Sequence, residues 1–309
     1  MNIVLHVGAH RTGTSTLQRV LQNNAVRLRQ RGVASWGPAR TRTGCLVGVP
    51  GSGRAARAGG AILAAEGRAE IDEGLAWERD AGATLLVVSE ENILGTMDGC
   101  LLRGWLYPDA GARVARTVAA FGASCCRVGL AIRSPDDWWA SVLSYQAMRR
   151  ASLPGQPTID RIAAADRGWR HVIADIARAC PGVDLVVWDF AALIGDPAAQ
   201  LSALAGRTLR LPPQARTRHV NATRGADSVR AKLMAAGRPA DAARVPPGPA
   251  RWMPFHDTQR QVMQQSYAAD LAWLRAGADG CARFVEAGTQ PMQGRTANGG
   301  KQGRLGAAG

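Results

Sequence analysis

At 309 residues, 46% of them hydrophobic, the chain is long enough to bury a large core in one α/β domain, and nothing in its length calls for a second. Its formal net charge is +14, yet only Lys232 and Lys301 among the 38 basic residues are lysines, and no aromatic-basic pattern accompanies the charge; arginine-rich composition explains it better than a nucleic-acid surface. No apolar run approaches the roughly 20 residues of a membrane span, and residues 2–7 already read as a core strand in place of a signal peptide, so a cytoplasmic protein with no nucleic-acid partner and no stable membrane insertion is expected.

In chain order, residues 2–7 (NIVLHV) form a short apolar run closed by Gly8, the pattern of a buried parallel strand. Leu17, Val20, Leu21, Asn24 and Leu28 then recur at helical spacing, with Gly32 placed as a C-cap. Residues 38–60, rich in Gly, Arg and Pro, read as a loop able to cover a site. A helical stretch from about 60 to 81 leads to a second strand, Thr84 to Val88, which ends in Ser89-Glu90-Glu91-Asn92. A helix around 111–122 precedes a third, Cys126 to Ile132, which runs into Arg133-Ser134-Pro135-Asp136-Asp137 and a helix capped by Ser or Asp. A helix near 167–179 precedes a fourth strand, Val183 to Trp188, and Gln259 to Leu274 reads as another helix.

This alternation predicts an α/β fold, a parallel β-sheet with helices on both faces. One domain is expected over residues 1–285, followed by a disordered tail, 286–309, with little to bury. Ligands of such sheets bind beyond the carboxyl ends of the strands, which singles out residues 8–16, 89–92, 133–141 and 189–196. The six cysteines, Cys45, Cys100, Cys125, Cys126, Cys180 and Cys281, have no metal-ligand spacing and read as buried thiols. No metal site is expected.

Residues 6–15 read HVGAHRTGTS. Gly8 and Gly13 are separated by four intervening residues between strand and helix, and Ser15 falls where a phosphate-binding P-loop places its metal-binding hydroxyl, but Thr14 replaces the P-loop lysine. Backbone N–H groups of a glycine turn at a helix N-terminus bind phosphate through hydrogen bonds and the helix dipole, and that part survives. The hydroxyls of Thr12, Thr14, Ser15 and Thr16 add donors, and Arg11 adds a planar fork. A corner whose glycines serve packing alone explains neither Arg11 nor the four hydroxyls. Lysine bridges the β- and γ-phosphates in nucleoside triphosphatases, so its loss argues against γ-phosphate transfer.

Arg11-Thr12-Gly13-Thr14-Ser15 resembles the 5′-phosphosulfate loop of sulfotransferases that use 3′-phosphoadenosine 5′-phosphosulfate (PAPS), in which a basic residue, normally lysine, precedes Ser/Thr-Gly-Thr-Thr. A second segment resembles that family's 3′-phosphate motif: Arg133, with Asp137 four positions on, Ser141 eight positions on and Pro135 between. The bland alternative for Arg133 is a surface ion pair with Asp136 or Asp137. Weaker likenesses are Trp188-Asp189-Phe190 followed by Gly195-Asp196-Pro197, and Arg218-His219-Val220-Asn221 with Thr223-Arg224-Gly225.

Covering about residues 2 to 275, the resemblance implies a P-loop-type, sulfotransferase-like fold with PAPS as co-substrate and no metal. It implies binding by Arg11, Thr12, Gly13, Thr14, Ser15, Thr16, Arg133, Ser141 and Arg224, and in-line sulfuryl transfer to the hydroxyl of a small molecule or glycan, with Arg11 stabilising charge. Family members place a histidine or a glutamate base after the second strand, which makes Glu91 or Glu90 the candidate here; His10, inside the loop, is the rival base or a loop-orienting group. Solvated loop acids are the alternative for both glutamates. A P-loop kinase or nucleotidase, or a nucleotide- or polyanion-binding protein without catalysis, are the alternative functions. Residues 38–60 and 145–160 are expected to build the acceptor pocket as variable loops.

Overall fold

In the computed structural model, which describes residues 1–51, 60–211 and 225–288, strand residues alternate between two cores. Ile3, Leu5, Leu86, Val88, Val128, Leu130 and Val187 belong to one cluster, and Val4, Leu85, Val87, Ala131, Val186 and Trp188 to the other. Successive side chains of a strand point to opposite faces, so continuous apolar runs such as these require cover on both sides. Leu17 and Leu21 of the Thr14–Asn23 helix and Leu201 and Leu204 of the Pro197–Ala205 helix cover one face. Helices Gly60–Asp80, Ala110–Phe121 and Trp169–Ala179 cover the other with Ile71, Leu75, Val114, Phe121, Val172, Ile173 and Ile176.

The strands are β1 (Asn2–His6), β2 (Val33–Trp36), β3 (Leu85–Ser89), β4 (Cys125–Ile132), β5 (Asp184–Asp189) and β6 (Arg283–Val285). They form one sheet in the order β2-β3-β1-β4-β5-β6, with every pair parallel, so the chain is an α/β protein. After β1 the chain runs outward to β2, returns through β3 and crosses to β4 on the other side of β1. The carboxyl end of β1 is therefore the switch point of the sheet, the place where ligands of open α/β sheets bind.

Two indoles fix that end. Trp138 and Trp169 are fully buried and meet edge to face at 6.3 Å between ring centres. A buried indole N–H needs an acceptor. Trp138 Nε1 donates to the His10 carbonyl at 2.6 Å and Trp169 Nε1 to the Arg133 carbonyl at 2.6 Å, which anchors the segments after β1 and β4.

Several elements differ from the sequence-based expectation. β2 and β6 were not expected; both are short edge strands. The helix through Leu17 breaks at Asn24, whose side-chain amide takes the Val20 carbonyl at 2.8 Å, and Ala25–Arg29 forms a separate turn before Gly32. Residues 145–160 are not a loop, since Pro135–Arg150 and Gln156–Ala163 are helices, and Pro38–Thr41 is a helical turn inside the stretch expected as loop. Of the six cysteines four are buried, but Cys281 is half-buried and Cys126 is exposed, at the register shift where β4 passes the start of β1. Among the described residues no helix is long and apolar enough to cross a membrane.

Candidate functional site

The glycine loop leaves β1 at Val7, whose N–H still joins the sheet through Gly129 O at 3.0 Å, and enters the Thr14–Asn23 helix at Gly13. Gly13 is left-handed (φ 79°), and a Cβ there would lie 2.5 Å from Ile194 Cδ1, so any other residue would be strained and would have to displace the Ile194 side chain. Arg11 is also left-handed (φ 64°), which costs a non-glycine residue on the order of 1 kcal/mol and is tolerated where surrounding contacts dictate it. The N-cap residue is Gly13, which has no side chain to accept from the first-turn amides, and such amides at a helix N-terminus suit an anion. The Thr12 hydroxyl donates to Ala9 O at 2.5 Å and that of Thr14 reaches the same carbonyl at 3.5 Å. Both hydroxyls thus lie at the loop's own Ala9 carbonyl, and the Thr12 contact closes the turn. Ser15 is half-buried at the helix start and Thr16 is buried.

Arg11 and the segment after β4 meet. Arg11 Nε donates to Ser141 Oγ at 2.9 Å, Arg133 Nη1 donates to Arg11 O at 3.1 Å, and Ser141 is fully buried one helix turn from Tyr145, over whose ring the Arg11 guanidinium lies at 5.4 Å. Arg133 also pairs with Asp137 at a long 3.4 Å and stacks over the Phe190 ring at 4.9 Å. The expected surface ion pair is thus present but is one contact among several. Arg251, from the segment before the Asp257–Arg275 helix, pairs with the other oxygen of Asp137. Burial, then Arg133 and later Arg251, holds the Arg11 guanidinium below its ordinary pKa; Arg133 is likewise lowered by burial despite Asp137. Arg133 and Arg251 share the half-exposed Asp137 carboxylate, and each keeps one buried Nε donor without a hydrogen-bond partner among the described residues, at a cost that an added acceptor would relieve.

The two glutamates after β3 have different fates. Glu90 is 2% exposed, and its two oxygens accept from Thr41 Oγ1 (2.7 Å), Arg42 Nε (2.9 Å), Arg42 Nη2 (3.0 Å) and the Asn92 N–H (3.0 Å). A carboxylate has about four lone-pair sites, so Glu90 is saturated and cannot take a substrate proton. Glu91 accepts from Arg42 Nη2 at 2.7 Å on one oxygen and Gln18 Nε2 at 3.0 Å on the other, and with its backbone hydrogen bond counted this still leaves an acceptor site that Glu90 lacks. Burial alone would raise its carboxyl; a backbone hydrogen bond, the Arg42 guanidinium and the Gln18 amide hold it below the ordinary value instead. Neither glutamate is a solvated loop acid. Arg113 donates to the carbonyls of Asn92 (2.6 Å) and Ile93 (3.1 Å) and fixes the turn from behind.

His10 is buried. Its ring nitrogens contact Tyr107 Oη (2.9 Å from Nδ1) and Asn92 Oδ1 (3.3 Å from Nε2), and its backbone N–H donates to the same Tyr107 oxygen at 2.8 Å. Desolvation holds its pKa below the usual value, although Glu91 pulls the other way.

The structure thus brings Arg11, Gly13, Thr14, Arg133, Ser141, Glu91 and His10 around the end of β1, and places Glu90 in a structural clamp. Arg224, with Arg218 and His219, lies outside the described residues. Sequence inspection missed Arg42, Tyr107 and Arg251: each is a lone residue in a connecting segment, and only the fold carries it to the site. It also missed His6, which lies beneath the loop with Nδ1 at 2.8 Å from Ser89 Oγ. Among the described residues no cluster of three or more His, Cys, Asp or Glu is arranged to hold a metal. No protein-family model, curated protein or solved structure matches this chain.

Proposed function

We propose that this chain is a PAPS-dependent sulfotransferase with a sulfotransferase-like P-loop fold, acting on a hydroxyl acceptor, a small molecule or a glycan. The observation that carries the proposal is the convergence of Arg11, Arg133 and Arg251 with two buried guanidinium Nε atoms lacking partners. A ligand with two separated phosphate-type anions fits this donor set. Arg11 and the amides at the start of the Thr14–Asn23 helix hold the 5′ end; Arg133 and Arg251 hold the 3′-phosphate, with Ser141 keeping the Arg11 fork in place.

PAPS supplies the sulfuryl group and a phosphate leaving group. Arg11 stabilises charge that grows on that leaving oxygen, in a site where water is partly excluded and electrostatic stabilisation is strong. Glu91, ionised at neutral pH, accepts the proton of the acceptor hydroxyl on an oxygen lone pair left open by Arg42 and Gln18. Glu90 keeps Arg42 in position. The acceptor enters from the side of residues 38–51, where Arg42 is 44% exposed on its side chain.

A second proposal, an anion-binding protein without catalysis, is favoured by one observation: Arg42 contacts both carboxylates and weakens Glu91 as a base. Thermal denaturation with adenosine 3′,5′-bisphosphate, compared with ATP plus magnesium, tests the nucleotide assignment. Stabilisation by the bisphosphate without metal is expected; stabilisation by ATP alone would overturn it. Sulfuryl transfer that depends on Glu91 then separates the enzyme from the binding protein.

A further inference from the structure

We propose that Tyr107 is a positioning residue that fixes His10 as its Nε2–H tautomer, which makes His10 a neutral hydrogen-bond donor in the glycine loop and removes it as a general base. Proton bookkeeping at one oxygen carries the inference. The His10 backbone N–H can only donate, so at 2.8 Å Tyr107 Oη accepts it. The single Tyr107 O–H is then left to donate, and His10 Nδ1 lies 2.9 Å away. Nδ1 must therefore present its lone pair, and the proton of the neutral ring sits on Nε2, facing the Asn92 carbonyl oxygen at 3.3 Å.

The alternative, a charged ring, would make both nitrogens donors and leave Tyr107 Oη accepting twice from the same residue. Burial opposes it: His10 is 8% exposed, stacked on the Tyr107 ring at 6.0 Å between centres. The charges facing the ring are Glu91 and Glu90 after β3, which favour protonation, and Arg42 from the segment after the Pro38–Thr41 turn, which opposes it.

Tyr107 is itself immobilised. It is fully buried, its N–H donates to Cys100 Sγ at 3.4 Å, its carbonyl accepts from Arg167 Nη2 at 3.1 Å, and its ring packs against Trp138 and Trp169. The hydroxyl is thus held at a fixed point against which the loop is set, and His10 O is held from the other side by Trp138. A fixed N–H donor at Nε2 is also what holds Asn92, next to Glu91, in one orientation. Its catalytic consequence, that the proton of the acceptor goes to Glu91, rests on the sulfotransferase proposal; the tautomer does not.

Long-range ¹H–¹⁵N correlation on histidine-labelled protein tests it, with His10 assigned by its loss in His10→Asn. The expected wild-type spectrum from pH 6 to 8 shows one protonated Nε2 and one unprotonated Nδ1, without titration. In Tyr107→Phe, which keeps the ring and removes the oxygen, the two nitrogens should converge as the two neutral tautomers exchange. A wild-type ring protonated at Nδ1, or an imidazolium at pH 7, would overturn the proposal, as would a Tyr107→Phe spectrum identical to wild type. If Tyr107→Phe does not fold, the wild-type spectrum decides alone. No nucleotide is needed, so this result is separable from the failure or success of bisphosphate binding.

Discussion

Arg11 Nε and Ser141 Oγ, 130 positions apart in sequence, are 2.9 Å apart in space. The bond joins the loop after β1 to the second turn of the helix after β4, and it aims a guanidinium that like charges would otherwise push aside. Ser141→Ala should weaken adenosine 3′,5′-bisphosphate binding about tenfold, on the order of 1.4 kcal/mol, the range for a hydrogen bond to a charged group. Calorimetric titration measures it, and an unchanged Kd would show that Arg11 needs no such support.

The glutamates should separate in their phenotypes. Glu90→Gln replaces a saturated acceptor with a group that carries donors toward Thr41, Arg42 and the Asn92 N–H, and should cost about 2–3 kcal/mol in urea denaturation. Glu91→Gln should leave stability within about 1 kcal/mol and cut sulfuryl transfer by at least about a hundredfold with bisphosphate binding retained. Equal turnover in Glu91→Gln and wild type would remove Glu91 from the mechanism.

Arg42 supplies a second test of the base. Its charge helps hold the Glu91 carboxyl low, so Arg42→Ala should raise that pKa and move the acidic limb of the rate profile to higher pH. A limb that stays in place would mean that another group sets it.

His6 should govern part of the acid stability. Burial lowers its pKa to about 4 from 6.5, so the folded state keeps it neutral where the unfolded chain binds a proton. Stability is then fully present above about pH 6.5 and declines as pH falls toward 4, by about 3 kcal/mol for this group. Denaturant melts at several pH values should show a smaller slope across that window in His6→Phe, which keeps a ring against Trp188.

The central strands were legible because burial on both faces makes them plain apolar runs, as in Leu85–Ser89. β2 and β6 were not, since an edge strand of four or three residues, VASW or RFV, needs no such run and is defined by its neighbour. The strand-glycine loop-helix corner and the place of Arg133 and Ser141 after β4 were legible because local spacing and strand ends predict them. The roles within the site were not: Glu90 and Glu91 are adjacent and identical in sequence, and only Thr41 and Arg42, from a distant segment, saturate one and leave the other open. The contact between His10 Nδ1 and Tyr107 Oη, 97 positions away in sequence, was equally out of reach of local spacing.

The claim that two anions are held, one at Arg11 and one at Arg133, is tested most directly by titrating adenosine 3′,5′-bisphosphate and adenosine 5′-monophosphate into wild type and Arg133→Ala. Wild type should prefer the bisphosphate by at least about tenfold, without added metal, and Arg133→Ala should erase that preference while binding the monophosphate as before. Equal affinities for the two nucleotides in wild type, or a preference that survives Arg133→Ala, would contradict it.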